Sequence, residues 1–463
     1  MWASSRTART SFARSRPGDR ERCTRLERHD SRNADGGVSA PAAELSEAQH
    51  DHELHAFVLE IGRALSLAGA AVSETQERLI AIAAANGAPH ARIVVLPTAL
   101  IISLGRAGWA TVESIPVLAG TWRLDQISAL YELVDEAQRA IVEPAAGLQE
   151  LKRIRAMPPR HGTAFTVVGY ALMTIGLCLI LQPTPRDVAT AAVLGVLVSF
   201  IVLLARHRPT LTMFVPIVSA TLVSALTFEA VKHGAADPGL RTLIAPLITF
   251  LPGAVLTTAT VELASGEVVG GASRLVYGAV QMLLLAFGIV AGAELVGLPS
   301  EAAVRDAPAN LLGWWAPWLG VVVFGVAAAM YFSAPRGALP WLMAVLIAAW
   351  TGQLIGDALV GGEVSGFFGA LVMTPIALGV ARLPGGPPSQ VTFLPAFWLL
   401  VPGALGLIGM TSIIGNPAAA DISDLVKPLG AIVSIALGVL CGVSLFRGLA
   451  TAPSLLRRSP ISR

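Results

Sequence analysis

The sequence predicts a mainly α, polytopic membrane protein with ten transmembrane helices, arranged as two inverted five-helix repeats and preceded by a small α/β cytosolic domain. Three observations predict this class. Of the 463 residues, 54% are hydrophobic and only 14% are charged, too little charge to cover a soluble protein of this size. From Thr163 onward, uncharged runs of about twenty residues recur, the length that crosses a hydrocarbon core. One fixed register also relates the two halves of this apolar region.

The region before the first apolar run divides into two parts. Residues 1–51 are rich in Arg, Ser and acidic residues and have no apolar stretch, so we expect a disordered cytosolic tail without a secretory signal peptide. Residues 52–160 are predicted to form the α/β domain, because helical apolar spacing alternates there with short β-rich runs bounded by Pro and Gly. The predicted helices are His55–Leu67, Ser73–Ala85, Leu124–Ile141 and Gly147–Met157, and the predicted strands are Arg92–Pro97, Leu100–Leu104 and Trp109–Ser114.

The apolar region is predicted to contain residues 161–300 as the first five-helix repeat and 301–450 as the second, followed by a cytosolic tail at 451–463. The ten spans are placed near residues 163–181, 187–205, 211–231, 242–264, 274–297, 313–332, 338–358, 364–381, 391–413 and 428–449.

Loop charge predicts the orientation of these spans. With a cytosolic amino terminus, thirteen basic residues lie on the cytosolic side: Lys152, Arg153, Arg155, Arg160, Arg206, Arg208, Arg274, Arg336, Arg382, Arg447, Arg457, Arg458 and Arg463. Five lie on the other side: Arg186, Lys232, Arg241, Arg305 and Lys427. This asymmetry predicts an even number of spans with both termini in the cytosol. The membrane is expected to be the plasma (inner) membrane.

The repeat follows from an offset of 150 residues without a gap. This offset aligns Pro252-Gly253-Ala254 with Pro402-Gly403-Ala404, and it aligns Gly288 and Gly292 with Gly438 and Gly442, each pair in GxxxG spacing. We expect the GxxxG pairs to serve close helix packing. Because each unit contains an odd number of helices, the second unit enters the membrane upside down, an arrangement typical of secondary transporters.

The Pro-Gly pairs are the first candidate site. Pro252-Gly253 in helix 4 and Pro402-Gly403 in helix 9 interrupt the helical hydrogen bonds near mid-membrane, where lipid cannot satisfy the freed groups. Paired breaks in corresponding helices indicate a substrate site in inverted-repeat transporters. The alternative is a packing kink without a ligand.

Polar side chains near these breaks are further candidates. Helix 4 continues with Thr257, Thr258 and Glu262. A carboxylate inside a membrane helix is costly, so Glu262 is a candidate proton-coupling group, a partner for an α-ammonium, or an interfacial residue that pairs with Arg274.

Three more polar residues interrupt apolar runs: Gln281 in helix 5, and Gln353 and Asp357 in helix 7. Gln353 and Asp357 are four residues apart and share a helical face, so both are candidates to line a cavity. The alternative for Asp357 is a position at the outer end of its helix.

Other activities find no support in the sequence. A net charge of +2 does not suggest nucleic acid as a partner. The chain has no phosphate-binding loop, hydrolase elbow or zinc-binding motif, so we expect no catalytic residues, metal site or cofactor, and no enzyme activity.

Two stretches resemble a known family. Phe250–Gly266 reads FLPGAVLTTATVELASG and is followed by Gly270–Leu275, GGASRL; Gly62–Arg78 reads GRALSLAGAAVSETQER. These stretches resemble the threonine/serine exporter family over about residues 52–450. The resemblance implies a ten-helix carrier with a soluble amino-terminal domain that exports threonine and serine with the proton-motive force. Pro252, Gly253, Glu262 and Arg274 are then positions of the family motif.

These observations predict a secondary exporter of small polar amino acids that works by alternating access around helices 4 and 9, with the proton as coupling ion. One alternative is a dicarboxylate exporter of the succinate type, for which Arg274 is the basic candidate. Another is an enzyme or sensor domain on a membrane anchor, for which the residues to inspect are His55, Glu60, Glu74 and His90. The sequence leaves open the exact substrates, the coupling stoichiometry, the role of the soluble domain and whether the chain forms a homo-oligomer.

Overall fold

A computed structural model describes residues 40–104, 110–115, 122–181, 184–206, 208–236, 240–297, 311–400, 407–411 and 423–456. The chain divides into two compact units, residues 1–52 and 53–463. The described part of the first unit is the beginning of helix α1, Ala40–Leu67. Residues 40–51 are helical here, and this segment contains Ala, Glu and Gln, which favour helices; the disorder of the tail stays a prediction.

The soluble part of the second unit has the predicted α/β elements. After α1 come α2 (Val72–Ala85), α3 (Leu124–Gln138) and α4 (Pro144–Arg155). The strands β1 (Arg92–Leu96), β2 (Ala99–Ser103) and β3 (Thr111–Ser114) form an antiparallel sheet in the order β1-β2-β3. Burial alternates along β1 and β2, as expected for strands with one face on the core.

The apolar part follows with helices that largely match the predicted spans. They are α5 (Thr163–Ile180), α6 (Pro185–Ala205), the short α7 (Pro209–Thr212), α8 (Val215–Lys232), α9 (Leu240–Ile244) with a 3-10 segment (Ala245–Phe250), α10 (Gly253–Ala264), α11 (Val268–Val296), α12 (Trp315–Tyr331), α13 (Ala338–Val360), α14 (Gly362–Val380), α15 (Ser389–Leu399) and α16 (Ser423–Leu456).

Six of the described helices are long and apolar enough to cross a membrane: α5, α6, α8, α11, α13 and α16. The bent pair Thr242–Phe250 and Gly253–Ala264 adds a seventh candidate if it is counted as one span, and two further apolar helices are shorter. Of the predicted ninth span, the structure describes α15 and residues 407–411; residues 401–406 lie outside the described ranges. The structure thus confirms a mainly helical polytopic membrane protein with six or seven candidate spans.

The helix pairs α8–α11 and α14–α16 pack through matching residues. A Cβ on Gly288 of α11 would lie 2.8 Å from the Ala220 Cβ of α8, and a Cβ on Gly438 of α16 would lie 2.8 Å from the Ala370 Cβ of α14. Each residue of the second pair follows its counterpart by 150 positions. The same offset relates the contacts of Gly292 to those of Gly442: Thr221 and Ser224 face the former, Leu371 and Thr374 the latter. The predicted role of the GxxxG pairs in packing is confirmed.

Helices α5 and α12, the first of each predicted half, run antiparallel. A Cβ on Gly169 would approach Tyr331, one on Gly176 would approach Phe324, and one on Gly320 would approach Ile180. As the residue number rises along α5, the number of its partner in α12 falls. The helices with which the two predicted halves begin therefore run in opposite directions and lie in direct backbone contact.

The soluble and membrane parts share a hydrophobic core. One buried cluster lies among the membrane helices. The cluster of the soluble part includes Ala334, Ala338 and Val391 from the second membrane half. Both parts belong to the compact unit 53–463, so the soluble elements pack directly on the membrane helices.

The matched glycines Gly288 and Gly438 allow a prediction about stability. Gly288→Ala and Gly438→Ala each place a methyl group against the neighbouring helix, so we expect each to lower the apparent melting temperature in detergent through overpacking of about 1–3 kcal/mol. Gly430→Ala, in the same helix as Gly438, is the control because a Cβ there meets nothing within 4 Å. A loss at only one of the two matched positions would contradict their equivalence.

Candidate functional site

The fourth predicted span, helix 4, corresponds to α9, the 3-10 segment and α10, and it is broken where the sequence predicts a break. The segments before and after the break are bent by 61°. The 3-10 segment ends at Phe250, Leu251 is extended, and α10 begins at Gly253 with Pro252 as its N-cap residue. Leu251, Pro252 and Gly253 are buried, so the break faces the protein interior. The break in helix 4 is confirmed, whereas Pro402 and Gly403 lie outside the described residues.

Side chains from two other helices bind the main chain of the break. The Tyr170 hydroxyl of α5 donates to the Pro246 carbonyl at 2.8 Å and lies 2.9 Å from the Thr249 hydroxyl. The Gln281 amide of α11 donates to the Phe250 carbonyl at 2.8 Å. These bonds replace hydrogen bonds that a continuous helix would make. Tyr170 is not among the candidate residues predicted from the sequence, although a tyrosine inside an apolar run indicates a buried partner for its hydroxyl.

The remaining polar candidates lie in different environments. Thr257 is fully buried, and its hydroxyl has no hydrogen-bond partner among the described residues, whereas Thr258 is half-buried. Gln353 is half-buried against Gly369 of α14. Asp357 is exposed in the last turn of α13, which is the alternative that its sequence position left open.

Glu262 lies at the other end of α10, ten residues and about 15 Å beyond the break. Its side chain is only 1% exposed. One carboxylate oxygen, Oε2, lies 3.2 Å from Nε of Arg274, an ion pair without hydrogen-bond geometry. The other, Oε1, accepts the Val72 amide at 2.9 Å. Pairing with Arg274 was one of three sequence interpretations, but the contact with Val72 was not foreseen.

The contact with Val72 caps a helix of the soluble domain. Val72 is the first residue of α2, and its N-cap residue, Ala71, has no side chain that could accept a hydrogen bond. The first amides of a helix have no partner inside it, and the helix dipole favours negative charge there. A carboxylate from the membrane helix therefore takes the place of a local cap.

Arg274 binds Ala70, the residue before the N-cap residue Ala71. Its NH2 group donates to the Ala70 carbonyl at 3.0 Å. Ala70 itself donates to the Leu65 carbonyl, and Gly69 donates to Ser66 with φ at +85°, which together close α1 in a Schellman motif. The turn Ala70–Val72 is thus held by both members of the Glu262–Arg274 pair.

Two glycines of the family-like stretch make this arrangement possible. A Cβ on Gly271 would lie 2.7 Å from the Ala259 carbonyl oxygen, so α10 and α11 can cross only with glycine at this position. A Cβ on Gly270 would lie 3.1 Å from Val72 and 3.2 Å from the Glu262 carboxylate. The GGASRL stretch therefore brings Arg274 to Glu262 and leaves room for the turn.

The first turn of α2 also contacts the second membrane half. The Glu74 carboxylate accepts from Gln390 of α15 at 3.2 Å, from Arg78 at 3.1 Å and from the Tyr131 hydroxyl at 3.2 Å. Burial raises the pKa of Tyr131 well above its usual range, and Glu74 raises it further, so the hydroxyl remains a donor. One turn of α2 thus bridges helices 4 and 5 of the first half to helix 9 of the second.

The α3 helix adds further bonds between the soluble and membrane parts. The Leu124 and Asp125 amides donate to the Phe332 and Ser333 carbonyls at 2.9 and 3.1 Å. Arg160 donates to the Ala334 carbonyl at 2.8 Å. The soluble domain is therefore fixed to the end of α12 as well as to helices 4, 5 and 9.

The structure describes the four residues named for the enzyme alternative. Glu60 pairs with Arg63 and Arg155, and Glu74 makes the bonds given above. His90 is exposed, and His55 is half-buried in α1. Within the described ranges, no group of three or more His, Cys, Asp or Glu residues could hold a metal ion.

Comparison with known proteins gives relatives in fungi. The chain is 23% identical over 396 residues to pheromone-regulated membrane protein 10 of Saccharomyces cerevisiae, which covers 79% of this chain and 48% of that protein. It is 26% identical over 252 residues to an uncharacterized protein of Schizosaccharomyces pombe, covering 52% and 32%. The chain thus spans about half or less of these relatives. No solved structure matches it.

A family model with the description "Putative threonine/serine exporter" matches residues 56–296. The matched region contains the turn at Ala70–Val72, the break in helix 4 and the Glu262–Arg274 pair, and it ends with α11. Because the match covers more than half of the chain, the protein belongs to this threonine/serine exporter family.

Proposed function

We propose that the protein exports threonine and serine across the plasma membrane by alternating access around the broken helix 4, driven by the proton-motive force. Family membership supports export of a small molecule by a membrane protein. The observation that carries the proposal is the buried break at Pro252, where main-chain groups are bound by side chains of α5 and α11. Such a break binds substrate or ions in carriers of this kind.

The geometry of the two halves supports alternating access. The contacts of α8–α11 recur in α14–α16 after an offset of 150 residues, and α5 runs antiparallel to α12. These are the relations expected of two inverted repeats, of which one half rocks against the other during transport. Helix α10 of the first predicted half contacts α15 and α16 of the second, which supports a role for the broken helix between the two halves.

The charges near helix 4 favour an amino acid over a dicarboxylate. Arg274, the basic candidate for a dicarboxylate, is paired with Glu262, so the two side chains together carry no net charge. The two opposite charges of a zwitterion match such a pair, whereas the negative charges of a dianion would be repelled by the Glu262 carboxylate. The unpartnered hydroxyl of Thr257 is one group that could bind the hydroxyl of threonine or serine.

The transport prediction is tested in proteoliposomes that contain the full chain. We expect counterflow of labelled threonine and serine, accumulation driven by a proton gradient and little effect of a sodium gradient. Competition with succinate separates the two substrate classes. Counterflow of succinate without counterflow of threonine would contradict the proposal.

A second prediction concerns proton coupling at Glu262. We expect Glu262→Gln to remove most of the response of transport to an imposed proton gradient, because an amide does not titrate, while counterflow without a gradient continues at a reduced rate. Glu294→Gln is the control, since Glu294 is exposed at the end of α11. Full retention of the gradient response in Glu262→Gln would assign the coupling proton to another group.

A third prediction concerns the break itself. Gln281→Leu and Tyr170→Phe leave the Phe250 and Pro246 carbonyl groups without these donors, and we expect each to cost about 1–3 kcal/mol and to lower both the melting temperature and the transport rate. Tyr277→Phe serves as control because Tyr277 is 41% exposed on the same helix as Gln281. If both variants matched the control, the break would not depend on these side chains.

A further inference from the structure

The turn that joins α1 to α2 presents two main-chain groups to a pair of opposite charges. The Val72 N–H points to the Glu262 carboxylate and the Ala70 carbonyl points to the Arg274 guanidinium. An α-amino acid carries the same two kinds of group two bonds apart, as an ammonium donor and a carboxylate acceptor. The turn therefore occupies the Glu262–Arg274 pair in the way that the polar end of an amino acid would.

The pair retains hydrogen-bonding capacity that the turn does not use. Oε2 of Glu262 and Nε of Arg274 are buried and have no hydrogen-bond partner in the part of the chain that the structure describes, although their charges attract each other at 3.2 Å. An ammonium brings three donors, and a carboxylate brings two acceptor oxygens with full charge, whereas the turn offers one neutral donor and one neutral acceptor. The bonds of the turn to this pair are already charge-assisted, but a zwitterion adds two full charges that attract Glu262 and Arg274, an attraction that the neutral turn lacks, so a zwitterion can compete with the turn.

The position of the turn connects this competition to movement of the two halves. Val72 and Ala70 are bound to helices 4 and 5, while Glu74, in the same helical turn, is bound to Gln390 of α15. The bridge thus opposes separation of these helices. A ligand that displaces the turn from Glu262 and Arg274 also removes one end of the bridge.

We propose that Glu262 and Arg274 form a binding site for the α-ammonium and α-carboxylate groups of an amino acid, and that the turn Ala70–Val72 occupies this site as an intramolecular competitor. This inference rests on the proposed function, because it supplies a further site for the same substrates, at the end of α10 and separate from the break at Pro252. The tethered turn has a high effective concentration, so it reduces the apparent affinity for free amino acid until it is released.

Val72→Pro tests the competition because it removes the N–H that binds Glu262. Val72 is the first residue of α2, a position that accepts proline, and Ala71 before it has the extended conformation that a following proline requires. Val72→Ala is the matched control, since it shortens the same side chain but keeps the N–H. We expect Val72→Pro to bind labelled threonine with a Kd roughly tenfold lower than Val72→Ala, the range for loss of a hydrogen bond to a charged group.

Two analogues test the chemistry of the site in the full-length protein. N-acetylthreonine keeps the carboxylate but has no ammonium, and threonine methyl ester keeps the ammonium but has no carboxylate. We expect free threonine to displace the label and each analogue to do so at least tenfold more weakly. Equal displacement by N-acetylthreonine would overturn the assignment of the ammonium to Glu262, and equal displacement by the methyl ester would overturn the assignment of the carboxylate to Arg274.

Hydrogen exchange of the unmodified protein provides a measurement that does not depend on a variant. We expect saturating threonine to increase exchange of the amides in residues 70–75, because the turn leaves the pair, while exchange in β1 remains unchanged. If the unmodified protein transports threonine but exchange at 70–75 stays constant and both Val72 variants share one Kd, the inference is wrong and the proposed function stands. If the unmodified protein neither binds nor transports threonine, both fail.

Discussion

The ion pair between Glu262 and Arg274 is the interaction on which the relation between the soluble and membrane parts depends. A carboxylate that is 1% exposed requires compensation, and here it receives a guanidinium and a helix-starting amide. Removal of any of the three would leave a buried group without its partner. The soluble domain is therefore joined to helices 4 and 5 through electrostatic requirements as well as through apolar packing, which explains why both family-like stretches lie at one contact.

The membrane part combines rigid and interrupted packing. Glycines in α11 and α16 allow direct contact with α8 and α14, so these pairs act as firm units within each half. Helix 4, in contrast, is interrupted at Pro252 and depends on Tyr170 and Gln281 for the hydrogen bonds that its own backbone lacks. A change in the position of α5 relative to α11 would alter the hydrogen bonds that Tyr170 and Gln281 make at this break. Under the proposed alternating access, helix 4 is the element that we expect to change its shape.

The sequence predicted the features that follow from local chemistry. Pro252 breaks helix 4 because proline has no N–H, and the GxxxG pairs pack closely because glycine has no side chain. Pairing of Glu262 with Arg274 was one of three alternatives. The contact with Val72 could not be predicted, because a main-chain amide 190 residues away leaves no pattern in the sequence. Tyr170 could have been predicted from its polar group in an apolar helix, and the helix at 40–51 was hidden by the charged composition before it.

The shared core of the soluble domain has a consequence for biogenesis. Ala334, Ala338 and Val391 belong to its buried cluster, yet they follow the last soluble helix, α4, by roughly 180 to 240 residues of chain. At an elongation rate of about 5–20 residues per second, the ribosome adds Val391 many seconds after α4 has emerged. Until then, the apolar surface that these residues cover stays open to water. Maturation of the amino-terminal domain is thus tied to completion of the carboxyl-terminal membrane segments, and a truncated polypeptide would expose an adhesive surface to the quality-control machinery.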